Sequence, residues 1–150
     1  MAIPGMMRRM PNAVCVCIDN YEDGKIGGKL YHMFSKDPQY FSDVTDILKY
    51  MGTLMDEIKY PEATIKARSF KKTEQETNTN IDARQKKYEI EDLLQKSGSI
   101  ASCIVTVSSR VNASWQGNIY WIENDESAGY SSEIEFISLI DETLSGNQMN

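Results

Sequence analysis

The most constraining feature of this chain is a pattern of polar and apolar residues that occurs twice, at 13–51 and at 102–140. Each copy contains an alternating stretch, a turn, a second alternating stretch and an apolar stripe at helical spacing. The copies align without a gap at an offset of 89 residues, although only four of the 39 aligned pairs are identical. Alternation with a period of two favours strands, and a period of 3.6 favours a helix. We therefore expect two copies of one strand–strand–helix unit, related by duplication.

The first copy begins at 13–20, where side chains alternate between two faces and predict a strand. A glycine-rich turn separates this stretch from a second predicted strand at 29–34. Residues 43–59 then carry apolar side chains at helical spacing. Ser42 or Asp43 can cap this helix, because either side-chain oxygen can accept a hydrogen bond from a free backbone N–H.

The second copy repeats this order. Residues 103–107 alternate, 112–117 have the composition of a turn, and 118–123 predict the next strand. A final helix carries its apolar stripe to Leu144. Its start has the spacing of a capping box at Ser132 and Glu135.

An isolated hairpin is marginally stable in water, so the two units are expected to pack together. The predicted fold is a two-layer α+β domain, a four-stranded antiparallel sheet with two helices on one face. A chain of 150 residues has the size of one domain. We divide it into a first unit at 13–59, a polar connection at 60–98 and a second unit at 99–145.

The segments outside the two units give weaker patterns. Residues 1–12 are expected to be a frayed lead-in, and 71–80 to be a polar surface connection. Residues 81–95 can add a charged helix, whereas 61–70 fit a helix or a strand equally well.

Charge and cysteine content exclude some classes of function. The net charge is −6, and residues 99–150 contain seven Asp or Glu residues against one Lys or Arg. Affinity for nucleic acid depends on Lys and Arg that neutralise phosphates, so nucleic acid is an unlikely partner. No apolar stretch has the length needed to cross a membrane. Three cysteines without a signal peptide fit a cytoplasmic protein, because secreted frameworks use paired cysteines.

Metal binding and catalysis lack a convincing residue set. Cys15, Cys17, Cys103 and His32 include the ligand types that zinc prefers. The alternation nevertheless places Cys103 on the sheet face opposite Cys15 and Cys17, and buried cysteines commonly act as small apolar residues. We therefore expect no catalytic residue, no metal site and no cofactor.

The unusual string Asn-Ala-Ser-Trp-Gln-Gly at 112–117 suggests a binding surface instead. A tryptophan in a polar turn either folds back over the core or contacts a partner, and aromatic residues are frequent interface anchors. We expect aromatic residues on the open face of the sheet to extend this surface. The candidate binding residues are Trp115, Tyr31, Tyr120, Trp121, Asn112 and Arg110.

The same string carries a resemblance to a known group of proteins. The features in question are Arg110, the string at 112–117, Trp121 and the helix at 131–144, with Tyr60-Pro61 and Arg68-Ser69-Phe70 in the middle of the chain. With these features the chain resembles an uncharacterised family of small proteins from anaerobic Firmicutes. That family has no known activity, so the resemblance implies no site. Tyr130-Ser131-Ser132 departs from the aromatic–Arg–Ser expected for the family.

These observations favour a non-enzymatic binding or regulatory protein that acts through contact with a protein partner or with a second copy of the chain. Two alternatives remain open. One is an acidic inhibitor of a nucleic-acid enzyme that mimics phosphates with Glu123, Asp125, Glu126, Glu133 and Glu135. The other is a small-molecule sensor with a pocket between the two units.

Overall fold

The alternating stretches of the sequence form strands, and the two apolar stripes form the long helices. The computed structural model describes residues 3–61, 63–64, 86–111 and 114–148. The elements within these residues are α1 (Gly5–Arg8), β1 (Val14–Glu22), β2 (Lys25–His32), β3 (Gln39–Phe41), α2 (Val44–Ile58), β4 (Ala63–Thr64), α3 (Ile90–Leu93), β5 (Ala101–Val111), β6 (Ser114–Trp121), β7 (Glu126–Tyr130) and α4 (Glu133–Gln148).

The sheet is larger than expected. Six strands form an antiparallel sheet in the order β3-β2-β1-β5-β6-β7, and the two-residue β4 pairs with β5 in parallel. The prediction of four strands and two helices is therefore wrong, although the α+β class is confirmed. Strands β3 and β7 contain three and five residues, too few to show a clear alternation. Each nevertheless places one large side chain, Phe41 or Tyr130, in the core.

The two halves of the sheet have the same register at the offset of 89 residues. Val14 lies opposite His32, and Cys103 lies opposite Trp121. Both hairpins contain a bulge at the same place, at 18/20 in β1 and at 107/109 in β5. The repeated unit is thus three strands and a helix, and not the predicted two strands and a helix. The duplication itself stays a prediction.

The two units meet along β1 and β5. The pairs in this register are Cys15 with Ile104, Val14 with Val105, and Val16 with Cys103. Positions 15 and 104 are 89 residues apart, so each is the equivalent of the other. By the same offset, the pair of Val14 with Val105 is equivalent to the pair of Val16 with Cys103. An approximate twofold axis therefore passes through the Cys15–Ile104 pair.

Helices α2 and α4 cover one face of the sheet, called the helix face below. The predicted helix at 43–59 is confirmed as Val44–Ile58, and Asp43 caps it by accepting a hydrogen bond from the N–H of Thr45 at 3.0 Å. The core on this face includes Ile47 and Met51 from α2 and Phe136 from α4. Burying a side chain of this size stabilises the fold by roughly 1.5–3 kcal/mol.

The opposite face, called the second face below, is covered in its centre. Ile3 precedes α1, Met7 lies within α1, and Leu93 is the last residue of α3. All three side chains are buried on the second face. The expectations of a frayed lead-in at 1–12 and of an open sheet face are therefore corrected. The reason is that Cys15 and Ile104 present apolar side chains to this face, and their burial favours a covering layer.

Two strand boundaries differ from the prediction because glycines lie inside strands. Strand β2 begins at Lys25, before Gly28, and β6 runs through Gly117, so the predicted turn at 112–117 ends before Ser114. A Cβ at Gly28 would collide with the carbonyl oxygen of Cys17 in β1. Glycine is needed at this position for close approach of the strands, and not for a turn.

The middle of the chain is described only in part. The predicted connection at 71–80 and most of the ambiguous segment at 61–70 lie outside the described residues. Of the predicted helix at 81–95, the described portion contains only the four residues of α3. In the part of the chain that the structure describes, no helix has the length and apolar character needed to span a bilayer.

Candidate functional site

The structure divides the predicted binding residues between the two faces of the sheet. Arg110, Trp115 and Trp121 lie on the helix face, whereas Tyr31 and Tyr120 lie on the second face. Asn112 lies outside the described residues. The single aromatic surface that the sequence suggested is therefore not assembled.

On the helix face, Trp115 and Arg110 form a packed pair. Trp115 lies in β6 opposite Arg110 of β5, and its ring lies against Gly52 of α2, where an added Cβ would be 3.7 Å from Cζ2. Arg110 is 7% exposed, and its Nη1 donates to Asp56 Oδ1 at 2.9 Å. Its Nε and Nη2 donate to the carbonyl oxygen of Pro61 at 2.8 and 2.6 Å. Both side chains thus fill space between the sheet and α2.

On the second face, the two tyrosines occupy equivalent positions beside the twofold axis. Tyr31 makes an edge-on contact with Tyr88, and the Lys96 ammonium lies 4.8 Å from the Tyr31 ring. Tyr120 is 1% exposed and donates to Asp125 Oδ1 at 2.7 Å. Burial and this hydrogen bond raise the pKa of Tyr120 to about 12. These contacts tie the tyrosines into the fold.

The cysteines are divided as predicted. Cys15 and Cys17 lie on the second face with their sulfur atoms 3.8 Å apart, and Cys103 lies on the helix face. The hydrogen bond with Cys17, together with burial, raises the pKa of the Cys15 thiol. The imidazole Nδ1 of His32 accepts a hydrogen bond from the N–H of Phe34 at 3.1 Å. Within the described ranges, no group of three His, Cys, Asp or Glu residues is arranged to hold a metal ion.

A cleft of about 330 Å³ lies between the two units on the helix face. The first unit contributes the end of β1, the start of β2 and the start of α2, and the second unit contributes the middle of α4. The lining residues are Tyr21, Gly24, Ile26, Val44, Ile137, Ser138, Ile140 and Asp141. This volume is at the lower end of the range for small-molecule sites.

The polar groups of the cleft are connected to one another. The Tyr21 hydroxyl donates to Asp141 Oδ1 at 2.7 Å and lies 3.0 Å from Ser145 Oγ. Tyr21 belongs to the first unit, whereas Asp141 and Ser145 belong to α4. The hydrogen bonds therefore fix the relative position of the two walls and hold a carboxylate at the cleft.

The offset of 89 residues assigns each residue of this cleft an equivalent in the other unit. At that equivalent position, called the filled counterpart below, side chains of the protein itself occupy the space. The equivalents are Arg110 for Tyr21, Trp115 for Ile26, Gly52 for Asp141 and Asp56 for Ser145. At the filled position the Trp115 ring lies over Gly52, and Arg110 is paired with Asp56. At the cleft, the smaller Ile26 stands where its counterpart is a tryptophan.

Sequence reasoning did not identify the residues of this cleft. Tyr21, Ile26 and Asp141 carry no motif, and each is an ordinary residue in its own segment. The signal lay in the alignment of the two copies, which pairs Ile26 with Trp115 and Asp141 with Gly52. An exchange of a large for a small residue at matched core positions marks a place where the symmetry of packing fails.

A second and smaller cleft of about 260 Å³ lies on the other face of the sheet, beside α1 and α3. The charged residues among its lining, Arg8 and Glu91, form an ion pair at 2.8 Å. Its charges are thus already satisfied by each other, so we consider the first cleft the better candidate.

Comparisons with known proteins give no relative from which a function could be inferred. No family model, no curated protein and no solved structure matches this chain. The geometry of the cleft is therefore the basis of the functional argument.

Proposed function

We propose that this chain is a binding protein that holds a small molecule in the cleft between its two units. The observation that supports the proposal is the unequal packing of two equivalent positions. Protein interiors are packed about as densely as organic crystals. At one position, the half-buried Trp115 and the buried Arg110 occupy the space between the sheet and α2. The other position keeps a cleft of about 330 Å³, although the same fold accommodates a large filling residue.

The lining of the cleft has the composition expected of a ligand site. Ile26, Val44, Ile137 and Ile140 provide apolar surface, and Tyr21 joins the hydrogen-bonded group that includes Asp141. Sites for small molecules are mostly apolar, with a few polar groups that orient the ligand. Because the walls belong to different units, a ligand would contact both units, as the sensor hypothesis requires.

Binding to a protein partner and the absence of enzyme activity stay predictions. Two residues of the predicted partner surface, Tyr120 and Trp121, are buried and therefore not accessible to a partner. The acidic inhibitor hypothesis has no better support, because most of its carboxylates already accept hydrogen bonds within the fold. These bonds are Ser102 N–H to Glu123, Tyr120 hydroxyl to Asp125, Trp115 N–H to Glu133 and Ser131 N–H to Glu135.

The proposal can be tested by filling the cleft in the way that the chain fills its counterpart. A library of small organic fragments is screened against the ¹⁵N-labelled protein by two-dimensional NMR. We expect fragments that shift the amide signals of cleft residues, and we expect Ile26→Trp to weaken their binding by about tenfold or more. Ser138→Trp provides a second variant, because Ser138 lines the cleft but is exposed and does not disturb the core.

Tyr40→Ala is the matched control, because Tyr40 is 68% exposed and is not among the residues that line the cleft. This variant should bind the same fragments as the unmodified protein. The proposal is wrong if no fragment shifts the cleft signals. It is equally wrong if fragments bind Ser138→Trp as tightly as the unmodified protein.

A further inference from the structure

We infer that the cleft selects small organic cations, with an ammonium group facing Asp141 and an apolar or aromatic body against the isoleucines. This inference rests on the proposed function, because it names the class of molecule that the cleft would take. It depends on three observations, which concern the charge in the cleft, the charges around it and the residues that fill its counterpart.

The first observation is the isolated carboxylate in the cleft. Among the described residues that line the cleft, Asp141 is the only Asp, Glu, Lys or Arg. The Tyr21 hydroxyl donates to Oδ1 of Asp141, and Ser145 lies within hydrogen-bonding distance of the same hydroxyl. In the part of the chain that the structure describes, Asp141 forms no ion pair. A ligand that brings one positive charge and an N–H donor matches this arrangement.

The second observation is the balance of charge around the cleft. Arg110, the only Lys or Arg residue at 99–150, is paired with Asp56 at the filled counterpart. Lys25 follows Gly24 of the cleft and lies opposite Glu22 where β2 pairs with β1. The chain as a whole carries a net charge of −6. The local and overall charges therefore both favour a cation over an anion.

The third observation is the chemistry of the filled counterpart. There the fold places an aromatic ring, Trp115, beside a cation, Arg110, and holds the cation with the carboxylate of Asp56. At the cleft, Ile26 and Tyr21 stand in place of the ring and the cation, and Ser145 stands in place of Asp56. The carboxylate of the cleft comes instead from Asp141, one helical turn before Ser145. An arylalkyl ammonium ion would supply the two groups that are missing.

The size of the cleft agrees with such a ligand. A volume of 330 Å³ corresponds to about eleven water molecules at liquid density. A single ring with a two-carbon chain and an ammonium group has a comparable number of heavy atoms. A dinucleotide or an extended peptide would not be enclosed.

The experiment uses three probes that share a phenylethyl group and differ in charge, namely 2-phenylethylammonium, 2-phenylethanol and 3-phenylpropionate. Each is titrated into the ¹⁵N-labelled full chain at neutral pH and low salt. Exposed ion pairs contribute up to about 1 kcal/mol, so we expect the ammonium probe to bind about fivefold more tightly than the alcohol. The carboxylate probe should bind more weakly than the alcohol.

Asp141→Asn separates charge from shape, because asparagine keeps an acceptor for the Tyr21 hydroxyl. In this variant the preference for the ammonium probe over the alcohol should disappear. Equal affinities of the ammonium probe and the alcohol in the unmodified protein would overturn the inference, and so would an undiminished preference in Asp141→Asn. Neither of these results would affect the proposed function, which fails only if the fragment screen finds no ligand in the cleft or if Ser138→Trp leaves binding unchanged.

Discussion

Gly52 and Trp115 are far apart in the sequence but lie in contact in the fold. Gly52 lies in the interior of α2, where glycine costs about 1 kcal/mol relative to alanine. The Trp115 ring lies directly over it. A side chain longer than alanine at position 52 would meet the ring, so the glycine is explained by packing.

The same contact predicts the effect of removing the ring. Trp115 is half-buried against the helix-face core, so Trp115→Ala should lower the free energy of unfolding by about 2–3 kcal/mol. The structure thus favours the core alternative for Trp115 over the interface alternative. Urea unfolding measures the stability, and sedimentation of the same variant measures association. A stability change below about 0.5 kcal/mol with weaker association would reverse this conclusion.

A double-mutant cycle provides the control for this contact. Gly52→Leu should destabilise the unmodified protein, because the leucine side chain meets the Trp115 ring. In the Trp115→Ala background the leucine occupies the vacated space, so its cost should fall by at least about 0.5 kcal/mol. Additive effects of the two substitutions would show that the residues are not in contact in solution.

At the level of elements, the two long helices begin in closely similar ways. The N–H of Ser42 donates to Asp46 at 3.1 Å before α2, and the N–H of Ser131 donates to Glu135 at 2.6 Å before α4. These positions are again 89 residues apart. Carboxylates at helix starts accept free backbone N–H groups and interact favourably with the helix dipole.

The cap of α2 gives a dependence of stability on pH. The hydrogen bond from the N–H of Thr45 holds the pKa of Asp43 below its ordinary value. Its contribution to stability is therefore present above the unfolded-state pKa, about 3.9, and is lost as the pH falls through the lower folded-state pKa. Asparagine also caps helices but does not titrate. Asp43→Asn should consequently lose less stability than the unmodified protein between neutral pH and pH of about 3.

Urea unfolding of both proteins at the two pH values measures this difference. Asp37→Asn is the matched control, because Asp37 is exposed and lies outside the helices, and it should follow the unmodified protein. An equal acid-induced loss in the unmodified protein and in Asp43→Asn would contradict the assignment of the cap.

At the level of the whole molecule, the sheet is covered on both faces. Helices α2 and α4 form the larger layer on the helix face, and α1 and α3 form a smaller layer over the centre of the second face. The first residues of the described chain are thus part of the core and not an appendage.

Two adjacent methionines test this second layer. Met7 is fully buried on the second face, whereas Met6 is 52% exposed. Met7→Ala should lower the free energy of unfolding by about 2–3 kcal/mol, because a buried methionine is lost. Met6→Ala should change it by less than about 0.5 kcal/mol. Similar small effects of both substitutions in urea unfolding would show that α1 does not pack on the sheet in solution.

The sequence by itself determined the features that depend on neighbouring residues. The alternation from Val14 to Ile18 predicted β1, and the apolar stripe predicted α2 nearly to the residue. The same alternation placed Cys103 on the face opposite Cys15 and Cys17. These features were predictable because the period of side-chain directions is a local property of strands and helices.

Only the tertiary structure decided which surfaces are covered and which position stays open. Burial of Met7 in one cluster with Leu93 depends on segments that are distant in sequence. The cleft likewise depends on Ile26 and Asp141, which meet only after the two units have packed together. Local patterns define the direction of each side chain but not the residue it faces across the core. For this reason the sequence predicted a pair of related units, whereas the structure showed where their packing differs.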